Sequence, residues 1–280
     1  MKIKPSLKKK ISRTLLYFLL ILTTFLVSLP ILWMISFVFK PAYEQFKTPP
    51  TLLIENLTLE NFEKAIKFAA LRYLFNSFLV SSVTTLLVIG VSIFSAYCFS
   101  RLNFFGKKKL FYMIIFTQAF PLASIIIPLY KLMYSLHLLD TYFSLIIAYL
   151  TFTVPTAVWL LRGFILRIPM DLEYAALLDG CDRINAFIRI LLPVIKPGII
   201  AAAVYTFIIT WQEFMFALTF ISTPDLKTLP VGILIFVGQL GLVDWGGLMA
   251  SSLIVCIPVF LLFLILQKQL VSALTGAFKA

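Results

Sequence analysis

The sequence is poor in the side chains that carry catalytic and metal chemistry. Its 280 residues include one histidine, His137. Neither a histidine-based metal centre nor a histidine-dependent triad can be assembled from it. The three cysteines, Cys98, Cys181 and Cys256, are odd in number and far apart. They give no disulfide framework and no zinc pattern. No G-x-x-x-x-G-K-[ST] segment occurs, so the chain lacks that cradle for nucleotide phosphates. Acids are scarce as well, 12 against 24 lysines and arginines. Charged residues total 13%, about half the usual share. No catalytic residues, no metal site and no cofactor of its own are therefore expected.

What the chain has in excess is apolar surface. Hydrophobic residues make up 61%, against roughly 45–50% in a soluble domain. Water-exposed folds cannot hide that much, and disordered chains are poor in such residues. The expected fold class is an all-α polytopic membrane protein, one transmembrane domain over residues 1–280.

A bilayer core of about 30 Å needs about 20 apolar residues in a helix. Six runs qualify, at about 14–39, 73–100, 110–130, 141–161, 197–223 and 245–267. Only Glu213 interrupts the fifth. The uncharged stretch Thr228 to Val243 is shorter and holds Pro230, Gly232, Gly238 and Gly241. It reads as a loop with an interfacial or re-entrant piece. Pro121, Pro128 and Pro155 are expected to kink spans three and four.

Six spans put both termini on one side, and charge selects the side. If the termini are cytoplasmic, the inner segments hold 17 of the 24 lysines and arginines. Six lie in residues 1–13, four from Arg101 to Lys109, five from Arg162 to Lys196 and two in the tail. The positive-inside rule then predicts that both termini are cytoplasmic. The formal charge of +12 becomes a topological signal, and nucleic acid is not needed to explain it.

Two loops stand out. Lys40 to Arg72 is long and polar, and Thr58 with Glu60 and Glu63 predicts a short capped helix. The inner loop, residues 168–197, reads IPMDLEYAALLDGCDRINAFIRILLPVIKP. Asp171 is expected to cap a helix with Leu172, Ala175 and Ala176 on one face. Gly180 permits a sharp turn, and Asp182 is expected to cap a second helix. The stripe of that helix is Ile184, Phe187, Ile188, Leu191 and Leu192, and Pro193 and Pro197 are expected to end it. Such a stripe suits a membrane surface, the chain's own core, or a groove on a partner.

This loop resembles the cytoplasmic motif of permease subunits of binding-protein-dependent ABC importers. That motif is Glu-Ala-Ala, three residues, Gly, nine residues, Ile-x-Leu-Pro. The chain has Ala175-Ala176, then Asp179-Gly180, then Ile190, Leu192 and Pro193 at the same spacing. Tyr174 stands where the family's Glu usually does, with Glu173 just before it. Asn76-Ser77, Ala96-Tyr97, Ser100-Arg101, Ile127-Pro128-Leu129-Tyr130, Leu138-Leu139-Asp140-Thr141, Trp211-Gln212-Glu213-Phe214 and Leu274-Thr275-Gly276-Ala277 are similar to the sugar-importer branch. The tail match also fits the smaller, six-span permease of the maltose importer, which the chain resembles.

The resemblance implies a transport subunit, not an enzyme, of an ATP-driven importer in a bacterial or archaeal plasma membrane. The cargo would be an oligo- or monosaccharide, a polyol or a glycerol derivative. The loop 168–197 would be the coupling loop between spans four and five, docking in a cleft of an ATPase that binds the ATP. The implied partners are a second permease in a heterodimer, two cytoplasmic ATPase subunits and an extracellular or periplasmic solute-binding protein. That protein would meet Lys40 to Arg72 and Pro224 to Asp244. Candidate pathway residues are Gln118, Trp211, Gln212, Glu213 and Phe214. Glu213, charged within a span, reads either as a pathway contact or as a packing hydrogen bond to Gln212 or Gln118. Trp211, Tyr205 and Phe214 suit either sugar stacking or core packing. The rival class, a stand-alone secondary transporter or channel, needs coupling-ion chemistry in the spans, where Glu213 is the only acid.

Overall fold

Long uncharged runs become long helices because only a helix satisfies its own backbone in an apolar medium. The computed structural model describes residues 5–67, 70–238 and 243–275, with side chains over 13–67, 71–238 and 243–268. Gly241 of the re-entrant candidate and Gly276-Ala277 of the tail match lie outside the described residues. The first helix is α1 (Pro5–Val38), followed by the short α2 (Ala42–Gln45) and α3 (Glu60–Lys67). Then come α4 (Ala70–Arg101), α5 (Lys107–Phe116), α6 (Leu122–Ser135) and α7 (Tyr142–Ile165). The next loop holds α8 (Asp171–Leu178), α9 (Arg183–Ala186), a π turn at Phe187–Leu191, and α10 (Leu192–Val194). The chain continues through α11 (Lys196–Trp211), α12 (Met215–Phe220), α13 (Leu229–Gly232) and α14 (Trp245–Thr275). Among the described residues the only β feature is an isolated bridge, Val237 to Val243.

The all-helical expectation holds. Among the described residues four stretches are long and apolar enough to cross a membrane: Arg13–Val38, Leu71–Arg101, Tyr142–Ile165 and Trp245–Lys268. Two further pairs qualify only together. Lys107–Ala119 and Leu122–Ser135 meet at 101°, and Arg183–Val194 and Lys196–Trp211 at 72°. The run at 110–130 is therefore not one straight span. Phe120, before Pro121, takes an extended conformation at φ −80° and ψ 131°, as the ring of a following proline demands. The helix stops there, whereas Pro128 and Pro155 sit inside unbroken helices. The run at 197–223 is broken too, since α11 ends at Trp211 and α12 starts at Met215.

The chain divides into two compact units, Met1–Phe68 with Ile235–Ile254, and Ala69–Leu234 with Val255–Ala280. In the smaller, three buried polar residues tie the segment after α1 together. Glu44 accepts from the backbone N–H groups of Glu55 (2.8 Å) and Asn56 (3.1 Å), and the Glu55 bond first of all lowers its pKa. Asn61 donates to the carbonyls of Val38 and Lys40, and Lys40 donates to the Thr51 carbonyl. The expected helix at Glu60 forms, and Thr58 Oγ1 accepts from Glu60 N at 3.2 Å.

In the larger unit, α4, α7 and α11 pack together. One apolar cluster joins Val80, Leu145, Tyr149 and Phe152 to Phe216, Phe220 and Val231. Another joins Ala96, Leu161 and Ile165 to Phe187, Leu191 and Ile195. Asn76-Ser77 fastens the segment at Asp225–Leu229 onto α4. Asn76 Nδ2 donates to the carbonyls of Asp225 (2.8 Å) and Lys227 (2.9 Å), and Ser77 Oγ accepts from Leu229 N (2.7 Å). Gly232 closes this contact, because a Cβ there would lie 2.1 Å from the Tyr73 ring. Gly232→Val is expected to destabilise by about 1–3 kcal/mol through overpacking. Thermal unfolding in detergent would read this as a lowered midpoint. Gly163→Ala, where nothing lies within 4 Å of the added carbon, is expected to be neutral or stabilising.

Candidate functional site

The loop between α7 and α11 has two faces. Gly180, at φ +90°, makes the turn between α8 and α9, a conformation that favours glycine. Asp182 caps α9 by accepting from Asn185 N at 2.6 Å. Asp171 does not cap α8. Met170 holds that position and Asp171 is the first helical residue, where its charge still meets the positive helix end.

The expected stripes are rearranged. On α8 the buried residues are Glu173 and Ala176, while Leu172 and Ala175 are exposed. On the second helix Ala186, Phe187, Leu191 and Ile195 face inward, while Ile184 and Ile188 face out at 68% and 50% exposure. A π turn occupies Phe187–Leu191 within this stretch. Pro193 has no N–H and its ring clashes with the carbonyl four residues back, and a wider turn just before it relieves the conflict. Pro193 therefore sits inside α10, and Pro197 is the second residue of α11, where a missing N–H is harmless. The helix does stop between the two prolines, at Val194, and α11 leaves it at 72°. Ile190 and Leu192 are half-buried beside them.

An ion pair pins the loop from inside. Glu173 Oε1 lies 2.5 Å from Arg101 Nε, with both side chains over nine-tenths buried. These two atoms have no well-angled hydrogen bond and satisfy each other as charges. Arg101 Nη2 also donates to the Ile168 carbonyl (2.8 Å), and the Tyr97 hydroxyl donates to Glu173 Oε2 (3.3 Å). The Tyr97 ring lies 4.7 Å from that of Phe187. The last turn of α4 thus grips both ends of the loop. Tyr174, in the motif's Glu position, faces out at 53% exposure, and Leu178 at 89%; Asp179 and Gly180 are also exposed. A cavity of about 540 Å³ opens beside the pair, lined by Asn103, Met170, Tyr174, Leu177 and Arg183.

The second set of candidates sits where α11 stops. Glu213 lies in the break and bonds to neither Gln212 nor Gln118. Its Oε2 accepts from the Tyr149 hydroxyl (2.8 Å) and Ala217 N (3.1 Å), and its Oε1 from Phe216 N (2.8 Å). A carboxylate is suited to this because the first turn of α12 offers unpaired N–H groups. Trp211 is buried, stacked on Phe207 and donating to the Val255 carbonyl at 3.1 Å. Phe214 packs against the Tyr149 cluster, and Gln212 is exposed. Gln118 lies elsewhere, at the break between α5 and α6. It donates to the Phe152 carbonyl (3.1 Å) and accepts from Thr156 Oγ1 (3.2 Å). The five residues do not form one site. Among the described residues no group of three or more His, Cys, Asp or Glu could hold a metal.

Residues 88–276 match the family model for the inner membrane component of binding-protein-dependent transport systems. The chain belongs to that family. The permease is similar over most of its length to curated relatives. It is 36% identical to the sulfoquinovosyl glycerol transport system permease protein SmoH of Agrobacterium fabrum, covering 88% of this chain and 87% of that protein. It is 35% identical to the trehalose/maltose transport system permease protein MalG of Thermococcus litoralis, covering 96% and 98%. Its fold is similar to a chain in the crystal structure of a bacterial ABC transporter that imports the acidic polysaccharide alginate. The TM-score is 0.75, the identity 19% and the coverage 96% and 99%.

The permease's site residues also include several that sequence reasoning did not single out by role. Arg101, the one charge at the end of an uncharged run, carried a signal of its own. Tyr149 carried none, being one aromatic among many. Asp140 appeared only as part of a short match. In the fold it adopts φ +60° and accepts from Ser222 N and Thr223 N (both 2.9 Å) and Thr223 Oγ1 (2.6 Å). It thereby locks the α6–α7 connection to the end of α12. The bonds from Thr223, and then from Ser222, hold its pKa below the ordinary aspartate value. The sign follows: this stabilisation is complete above the unfolded pKa, about 3.9, and is lost as pH falls through the lower folded value. Thermal unfolding of the permease in detergent is expected to hold this contribution down to about pH 4 and to lose it progressively below that. Asp140→Asn is expected to flatten that part of the profile.

Proposed function

We propose that this permease forms, with a second permease subunit, the sugar pathway of an ATP-driven importer. In this reading α5 and α6 make one broken span, and α11 is a span continued by α12. The total is six spans with both termini cytoplasmic, which places 17 of 24 basic side chains inside. The membrane is the plasma membrane of a bacterium or archaeon. The loop 168–197 is then cytoplasmic and docks in an ATPase subunit, which binds the ATP. Two such subunits and an outer solute-binding protein complete the importer.

The observation that carries the reading is the near full-length similarity to permeases named for sugar transport. The loop supports it. Glu173 and Arg101 fix its inner face, while Tyr174, Leu178, Ile184 and Ile188 are left uncovered, an apolar surface of the sort a partner groove covers. The cargoes those two relatives are named for are all glycosides, so the cargo proposed is a sugar, a polyol or a glycerol derivative. The test is purification of the tagged permease from its native membrane, with identification of everything that accompanies it. A second permease, an ATPase and a binding protein that releases a sugar on denaturation are expected. A permease that purifies without any ATPase, or with a binding protein that releases a peptide or an ion, would overturn the reading.

A further inference from the structure

The break between α5 and α6 opens a cavity of about 410 Å³, bounded also by α7 and α11. Its lining includes Gln118, Phe120, Thr151, Phe152, Tyr205 and Ile209. We infer that this cavity is a contact site for a sugar ring in transit, contributed by this subunit itself. The inference rests on the sugar-importer reading and deepens it.

Depth is the first argument. Tyr205 lies nine residues from the start of α11 at Lys196, and Thr151 nine from the start of α7 at Tyr142. At 1.5 Å per residue each is about 14 Å from its end of the membrane, close to the middle of a core about 30 Å thick. The two helices enter from opposite sides, so the two residues meet at mid-depth.

Chemistry is the second. Irregular backbone at membrane depth is tolerated only where it is buried in protein or lines a water-filled space, and broken helices mark binding sites in transporters. Here Gln118 and Phe120 sit at the break itself, and both are exposed. The Tyr205 hydroxyl, 40% exposed with its residue, has no hydrogen-bond partner among the described residues. Gln118 commits one amide hydrogen to Phe152 and keeps a second. Thr151 donates to the Ala148 carbonyl and keeps its lone pairs. An amide, a hydroxyl and a phenol turned toward lipid are costly. Turned toward a pathway they serve a sugar, whose hydroxyls need both donors and acceptors, while the rings of Phe120 and Tyr205 suit its apolar C–H face. Trp211 and Glu213 are committed to internal packing and bonding, so the contact falls to this cavity.

The test uses the whole importer in proteoliposomes with radiolabelled trehalose as probe. Wild type is expected to import it. Failure to import trehalose or any sugar that its own binding protein retains overturns the sugar-importer reading, and this inference with it. With wild type active, Tyr205→Leu is expected to lower sugar imported per ATP hydrolysed by about three- to tenfold, the value of one hydrogen bond. Tyr205→Phe, which keeps the ring, is expected to lose less. In a chain with Cys98, Cys181 and Cys256 changed to serine, Thr151→Cys is expected to react with a charged thiol reagent, and trehalose to slow that reaction. An unchanged ratio in Tyr205→Leu, or a cysteine at 151 unreactive in every nucleotide state, overturns the inference and leaves the sugar-importer reading standing.

Discussion

Glu173→Leu is expected to lower sugar uptake by at least about a hundredfold while the permease still reaches the membrane in normal amount. Removing one member of a buried ion pair costs about 3–5 kcal/mol, because the remaining charge is left without a partner. Each 1.4 kcal/mol is about a tenfold change in an equilibrium. The pair here is buried, with 5% and 9% side-chain exposure for Arg101 and Glu173. Its loss frees α8 from the last turn of α4, and with the loop in the coupling role proposed above, its motion would no longer reach the spans. Arg101→Leu is expected to do the same, and more fully, since Arg101 also holds the Ile168 carbonyl. The double variant is expected to recover part of the loss, since no uncompensated charge remains. Tyr97→Phe removes only one longer bond of 3.3 Å and is expected to cost a few-fold. Uptake per membrane-inserted permease, measured across this cycle, decides the matter. Normal uptake in both single variants would show that the ion pair does not position the loop.

Glu213→Leu is expected to act on folding instead of transport. The carboxylate accepts three bonds, and Leu accepts none. The Tyr149 hydroxyl, fully buried, and the N–H groups of Phe216 and Ala217 would be left unpaired. Each such group costs about 1–3 kcal/mol, so the three together approach the whole stability of a typical domain, about 5–15 kcal/mol. The yield of monodisperse permease in detergent is expected to fall to a small fraction of wild type. Glu213→Gln retains an acceptor oxygen and is expected to fall less. A Glu213→Leu permease that is as stable as wild type but inactive would instead make Glu213 a pathway contact.

The two carboxylates illustrate what a sequence shows and what it hides. Hydropathy located the helices, because apolar runs of span length have few other uses. It could not see that Phe120-Pro121 and Gln212–Phe214 interrupt two of them, since a break depends on which N–H and carbonyl groups find partners from other helices. Glu213 stood out as an acid in a span, but its partner Tyr149 lies 64 residues earlier and has no mark of its own. Likewise the spacing of Ala175, Gly180 and Pro193 singled out the loop between α7 and α11. It did not reveal which face turns inward. On α8 that was decided by Arg101, which draws Glu173 in and leaves Tyr174 outside, and on the second helix a π turn before Pro193 interrupts the repeat. Helical periodicity assumes an unbroken 3.6-residue repeat, and here the repeat changes.

The most direct test of the account is uptake of labelled sugar into proteoliposomes holding the purified importer, with its binding protein on one side and ATP on the other. The account predicts uptake that requires both, and that falls to background when ATP is omitted or when an ion gradient replaces it. Uptake by the permease alone, driven by an ion gradient without ATP, would contradict it and make the chain a secondary transporter.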